Sequence, residues 1–184
     1  SFTCLGANPI SDAYATGAVR KISENLLKVM DNPADADGRL ELAQASTMAG
    51  IAFSNAMVGM VHSLGHSVGS VCHLPHGLCM NLFLPYVLEY NKAVNGDRIG
   101  ELLLPLAGAD VYAATPKAQR ADKAIEVIRQ MRDALYERCK LPRTLLETGK
   151  VREDQLEQIA DLAINDGSII FNPKEADRAE LLGV

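Results

Sequence analysis

The sequence has no cluster of basic residues. Its 18 lysines and arginines are scattered among 23 aspartates and glutamates, for a formal net charge of −5. Nucleic-acid phosphates demand concentrated Lys and Arg, so nucleic acid is excluded as a partner. No apolar run approaches the roughly 18 residues of a membrane span and no signal peptide opens the chain, so no membrane association is expected. The four cysteines, Cys4, Cys72, Cys79 and Cys139, form neither a paired CxxC nor a disulfide scaffold. A chain of this length buries about 70% of the surface its unfolded form exposes, and builds a core without covalent staples. A reducing cytoplasm is the simplest reading. Also missing are repeats, low-complexity tracts and strand-like alternation. No glycine-rich turn between a strand and a helix is present to cradle a dinucleotide.

What is there is helical. A helix is predicted to begin near Pro9, a residue tolerated in a first turn, with the stripe Ala15, Ala18, Val19, Ile22, Leu26 and Val29 facing inward. DNPADADG (31–38) breaks it. Residues 39–52 are rich in Ala, Ser, Thr and Gly, which allow close backbone approach and suggest an interior helix. Residues 78–90 are apolar nearly all round and should be buried, with a bend at Pro85. A shorter apolar segment covers 99–106. Thr115 followed by Pro116 reads as a helix start, with Ala121, Ala124, Ile125, Ile128, Met131 and Leu135 on the inner side. Lys123, Arg129, Arg132 and Arg138 read as a solvated face. Leu141-Pro142 ends that helix. A further one spans 153–164 with Leu156, Ile159, Ala160 and Ala163 inward, and Asn172-Pro173 starts the last. The expected fold is a single all-α domain, residues 1–184, of about six to nine helices.

All four histidines lie in one stretch, GMVHSLGHSVGSVCHLPHGLC, from Gly59 to Cys79. Imidazole is the commonest protein metal ligand and the side chain that titrates near neutrality. His62 and His66, four apart, share one face of a helix. Gly65, Ser67, Gly69 and Ser70 then weaken the helix, Pro75 favours extended backbone at Leu74, and His76 opens the next apolar run. The pattern is a helix, a glycine-containing turn and a second helix, with a histidine at each side of the turn. Spacing alone pairs His62 with His66. An isolated HxxxH pair is more often two partly buried polar residues than a site, and a complete metal site needs three or four ligands.

The stretch resembles the histidine motif of the iron-containing (group III) alcohol dehydrogenases, roughly G-x-x-H-x-x-x-H-x-x-G-x-x-x-x-x-P-H-G. Here it stands as Gly59, His62, His66, Gly69, Pro75, His76 and Gly77. ANPISDAYATGAVRKI (7–22), ASTMAGIAFSNAMVGMVH (45–62) and HGLCMNLFLPYVLEYN (76–91) resemble the same family's helical domain, and INDGSIIFNPKEA (164–176) does so more loosely.

The resemblance implies that the chain is the helical C-terminal half of a two-domain, NAD(P)-linked enzyme oxidising alcohols or reducing aldehydes. In that family an aspartate and three histidines hold the metal. His62 and His76 match two of those histidines. His66 matches the histidine near the nicotinamide and substrate, a catalytic polar group rather than a ligand. Phe53 resembles an aromatic residue bordering the substrate pocket. His73 matches no invariant position and is read as pocket-lining or exposed. The other two ligands are expected shortly before NPISD, and the N-terminal dinucleotide-binding domain is expected to be missing from this chain. The expectation is therefore a truncated piece of a homo-oligomeric enzyme, inactive alone. Nitrogen-rich ligation suits Fe, Zn, Ni or Cu, and affinity order favours Zn over Fe. The family points to Fe2+. The alternative is a non-catalytic helical module whose histidines bind no metal.

Overall fold

The structure, a computed structural model, describes residues 1–184 as nine α-helices and no strand. They are α1 (Pro9–Asp31), α2 (Ala36–Ala56), α3 (Met60–Cys72), α4 (His76–Glu101), α5 (Leu103–Ala107), α6 (Ala109–Ala114), α7 (Arg120–Cys139), α8 (Leu156–Ile164) and α9 (Arg178–Gly183). The all-α expectation holds. No helix is long and apolar enough to cross a membrane.

Two packed units carry the fold. In the larger, α3 lies between α4 and α8, with α9 closing one end. Met60, Leu64 and Val68 of α3, spaced four apart, meet Leu82, Phe83 and Val87 of α4 and Ile159, Ala160 and Ala163 of α8. Full burial of each Leu, Val or Phe contributes about 1.5–3 kcal/mol. The exposed ion pairs that lace the surface, such as Arg129 with Glu89, are worth about 0.2–1 kcal/mol each. Apolar burial therefore decides the architecture. The second unit packs α7 on α4 and α5 through Leu88, Ile99, Leu103, Ala124 and Ile125.

The first two helices form a hairpin joined by a thin seam. Asn8 caps α1 with a reciprocal bond to Ser11, and Pro9 sits in the first turn as expected. The seam uses small residues: Ala15 and Ala18 on α1, Ala45, Ala52 and Ala56 on α2. A Cβ on Gly17 would run into the Met48 methyl group. The interior placement expected for 39–52 is corrected here. Leu40 and Ile51 stand exposed, because small residues line only one face and that face alone is covered.

Other expectations also change. Thr115 closes α6 instead of capping the next helix, and α7 starts at Arg120 after a single 3-10 turn at Lys117–Gln119. Asn172-Pro173 starts no helix; α9 begins at Arg178, capped by Asp177 and Glu180 reciprocally. Helix α4 keeps helical dihedrals through Pro85 and departs from them at Asn95 (φ −133°, ψ 22°), whose side chain donates to the Thr3 carbonyl at 2.8 Å. Arg132 is not on the solvated face. It is 6% exposed and donates to the Arg143 carbonyl oxygen.

Between α2 and α3 the backbone is strained. Met57 has φ 64° and ψ −168°, a region nearly reserved for glycine and costing an L-residue about 1–3 kcal/mol. Met57→Gly removes that strain while loosening the unfolded chain by about 0.5–1 kcal/mol. The expected net gain is roughly 0.5–2 kcal/mol, read as a higher urea midpoint at unchanged slope.

Candidate metal centre

Helix α3 does not yield at its glycines. It runs unbroken through Gly65 and Gly69 to Cys72, because its buried face pays more than two glycines cost. The turn comes later and contains no glycine. His73 adopts the left-handed conformation (φ 52°, ψ 45°) at the end of α3, Pro75 is extended, and α4 starts at once with His76. The chain thus doubles back so that the first turn of α4 faces the middle of α3. His73 is exposed and serves this reversal.

The reversal gathers three imidazoles. Ring centroids lie 5.5 Å apart for His62 and His66, 5.4 Å for His62 and His76, and 5.5 Å for His66 and His76. Two imidazoles bound to one ion through nitrogens about 2.0–2.1 Å from it place their centroids roughly 4.5–5.5 Å apart. All three separations fall in that range, so every pair in the cluster fits a shared ion. No three His, Cys, Asp or Glu side chains in the chain form a complete ion-holding group. His62 is partly buried, and that burial, reinforced by His66 and His76 nearby, pushes its pKa down to about 4. A neutral ring at pH 7 has a free nitrogen lone pair, the form a metal requires.

Two residues outside the motif shape the site. Asn172 clamps the start of α3: its carbonyl oxygen accepts from the Met60 backbone N–H (3.3 Å) and from the Asn91 amide (3.0 Å), while its own amide donates to Asn91 (2.8 Å) and to the Lys174 carbonyl (2.7 Å). A Cβ on Gly59 would lie 3.1 Å from that carbonyl oxygen, so glycine lets the clamp close on the helix start that aims His62. Asp166, in the turn after α8, reaches Nδ1 of His66 at 3.0 Å. Burial opposes ionisation of Asp166, but bonds from Ser168 and the His66 ring hold its carboxyl below the usual range. Both residues fall within INDGSIIFNPKEA, the segment whose resemblance was loosest; its paired Asn-Pro and Asp-Gly turns were the available signal. Phe53 is half exposed on α2 and does not line the cavity of about 370 Å³ that includes His62, Met80, Asn91 and Asn172.

The chain as a whole, an all-α domain, matches known proteins. The family described as "Fe-containing alcohol dehydrogenase family, C-terminal" matches residues 1–184. The 1,3-propanediol dehydrogenase of Klebsiella pneumoniae is 30% identical over 178 residues, 97% of this chain and 44% of that protein. The NAD-dependent methanol dehydrogenase of Bacillus methanolicus is 32% identical over 176 residues, 96% of this chain and 44% of that protein. The crystal structure of a 1,3-propanediol oxidoreductase superposes with a TM-score of 0.91 at 28% identity, covering 99% of this chain and 46% of the other. The chain belongs to the iron-containing alcohol dehydrogenase family. It corresponds to the helical C-terminal part and spans about 44% of the length of these curated relatives.

Two measurements probe this geometry. Asn172→Ala leaves the Met60 N–H and the Asn91 amide without partners, at about 1–3 kcal/mol for each buried group; urea unfolding should show the loss. His62 gives the metal-free chain a pH dependence. Below its ordinary 6.5 the unfolded state takes up a proton that the folded state refuses until about 4. Stability is complete above pH 6.5 and falls as pH drops toward 4, and His62→Gln should flatten that part of the profile.

Proposed function

We propose that this chain is the metal-carrying helical half of an NAD(P)-linked alcohol dehydrogenase that interconverts alcohols and aldehydes. The triangle of imidazoles carries this reading, and the resemblance of His62 and His76 to the family's histidine ligands selects that pair. His62 and His76 hold the cation from this side. The remaining donors, and the domain that binds the nicotinamide nucleotide, belong to the rest of an enzyme whose relatives extend well beyond this stretch. The donor set suits Fe2+, with Zn2+ the competing ion. Alone, the chain is assigned no turnover.

When bound, the cation and the nicotinamide supply positive charge beside the substrate oxygen and an acceptor for the hydride. The chain's own side chains do the rest. His62, desolvated and neutral, offers a lone pair without first losing a proton. His66 lies as close to His76 as to His62, on the exposed side of the cluster. With a nicotinamide bound, alcohol oxidation would pass a hydride to it and leave one proton to be removed; His66 orients the hydroxyl group and takes that proton. Phe53 is proposed to border the substrate from α2, where its exposed ring awaits a covering surface.

The test uses the full-length enzyme. His62→Ala and His76→Ala should lower bound metal and alcohol-dependent NAD(P)H formation together, each at least tenfold. His66→Ala should lower kcat by about 10²–10⁴, the usual worth of a positioned acid–base group, while metal content stays near wild type. Loss of the metal in His66→Ala would overturn its role beside the centre. Full activity in His76→Ala would overturn the metal assignment.

A further inference from the structure

We propose that Asp166 is the positioning residue for His66, holding the ring with its proton on Nδ1 and so leaving the lone pair on Nε2. The placement itself stands on geometry; the use of the Nε2 lone pair in alcohol oxidation rests on the function proposed above. His66 and Asp166 are 100 residues apart, and Asp166 Oδ2 lies 3.0 Å from His66 Nδ1. An ionised carboxylate only accepts hydrogen bonds, so the ring nitrogen facing it must be the donor. In a neutral ring the other nitrogen is then bare.

Asp166 is built to hold this geometry. Its backbone N–H donates to the Ala163 carbonyl (3.3 Å) and its carbonyl accepts from Ile169 (3.0 Å), so the residue is pinned on both sides at the end of α8. Its second carboxylate oxygen, Oδ1, accepts from the Ser168 backbone N–H at 2.7 Å. Both oxygens are thereby committed and the side chain has one orientation. Helix α8 is anchored in turn through Ile159, Ala160 and Ala163 against α3, the helix that carries His66. The side chains of His66 and Asp166 are 41% and 22% exposed. As an ion pair that exposure makes the contact nearly worthless for stability. Its value lies in choosing a tautomer, as a carboxylate does when it orients a histidine that works on a substrate.

The test reads the tautomer directly in the metal-free 184-residue chain, labelled with 15N-histidine, at pH 8. Long-range proton–nitrogen correlations should show His66 with Nδ1–H as its major form. In Asp166→Asn, Oδ1 can keep its bond from Ser168 while the new NH2 group donates to Nδ1, so the major form should reverse to Nε2–H. Asp166→Glu restores a carboxylate and should keep Nδ1–H. Nε2–H as the major form in the wild type, or Nδ1–H persisting in Asp166→Asn, overturns the proposal. Should Asp166→Asn not fold, the wild-type spectrum alone decides. An Nδ1–H ring in a full-length enzyme that oxidises no alcohol would remove the proposed function and leave the placement by Asp166 standing.

Discussion

The reversal of the chain between α3 and α4 is the constraint from which the rest follows. Three residues, His73 in the left-handed region, Leu74 buried and Pro75 extended, turn the backbone without a glycine. Had α3 ended at Gly65 or Gly69, the start of α4 would have emerged a turn or more earlier and met a different part of α3. Continuous helix to Cys72 fixes the distance, and tight packing of Leu64 and Val68 against Leu82 and Phe83 fixes the angle. The imidazole cluster is a by-product of this backbone geometry, and no contact between the rings has to hold it.

The helices and the three clustered histidines were legible because their determinants are local. Spacing of three and four residues announced the inner faces of α1, α7 and α8, and Pro9 announced a helix start. The errors share one cause, the use of a residue's intrinsic preference where tertiary contacts decided otherwise. Gly65 and Gly69 favour a break, yet burial of the face between them kept the helix intact. Pro85 sits inside α4 without ending it, and the backbone departs from helical dihedrals only at Asn95, where an amide can reach Thr3. Thr115 and Asn172 have the chemistry of caps, but one closes a helix and the other was recruited across 112 residues to the start of α3.

The roles of Asn172 and Asp166 were not legible for the same reason. Each acts on a partner at least 81 residues away, Asn172 on Asn91 and Met60 and Asp166 on His66. A short polar side chain in a loop carries no periodicity that names a distant partner. Resemblance flagged the segment but not the contacts. Spacing had paired His62 with His66, resemblance had paired His62 with His76, and the fold puts all three rings at the corners of one near-equilateral triangle.

The hundred-residue gap between His66 and Asp166 separates two dependencies. The three imidazoles come from α3 and α4, so their mutual spacing is set by the packing of those two helices. The orientation of the His66 ring depends in addition on α8, whose end carries Asp166. A change confined to the docking of α8 would therefore free that ring to turn without dispersing the cluster.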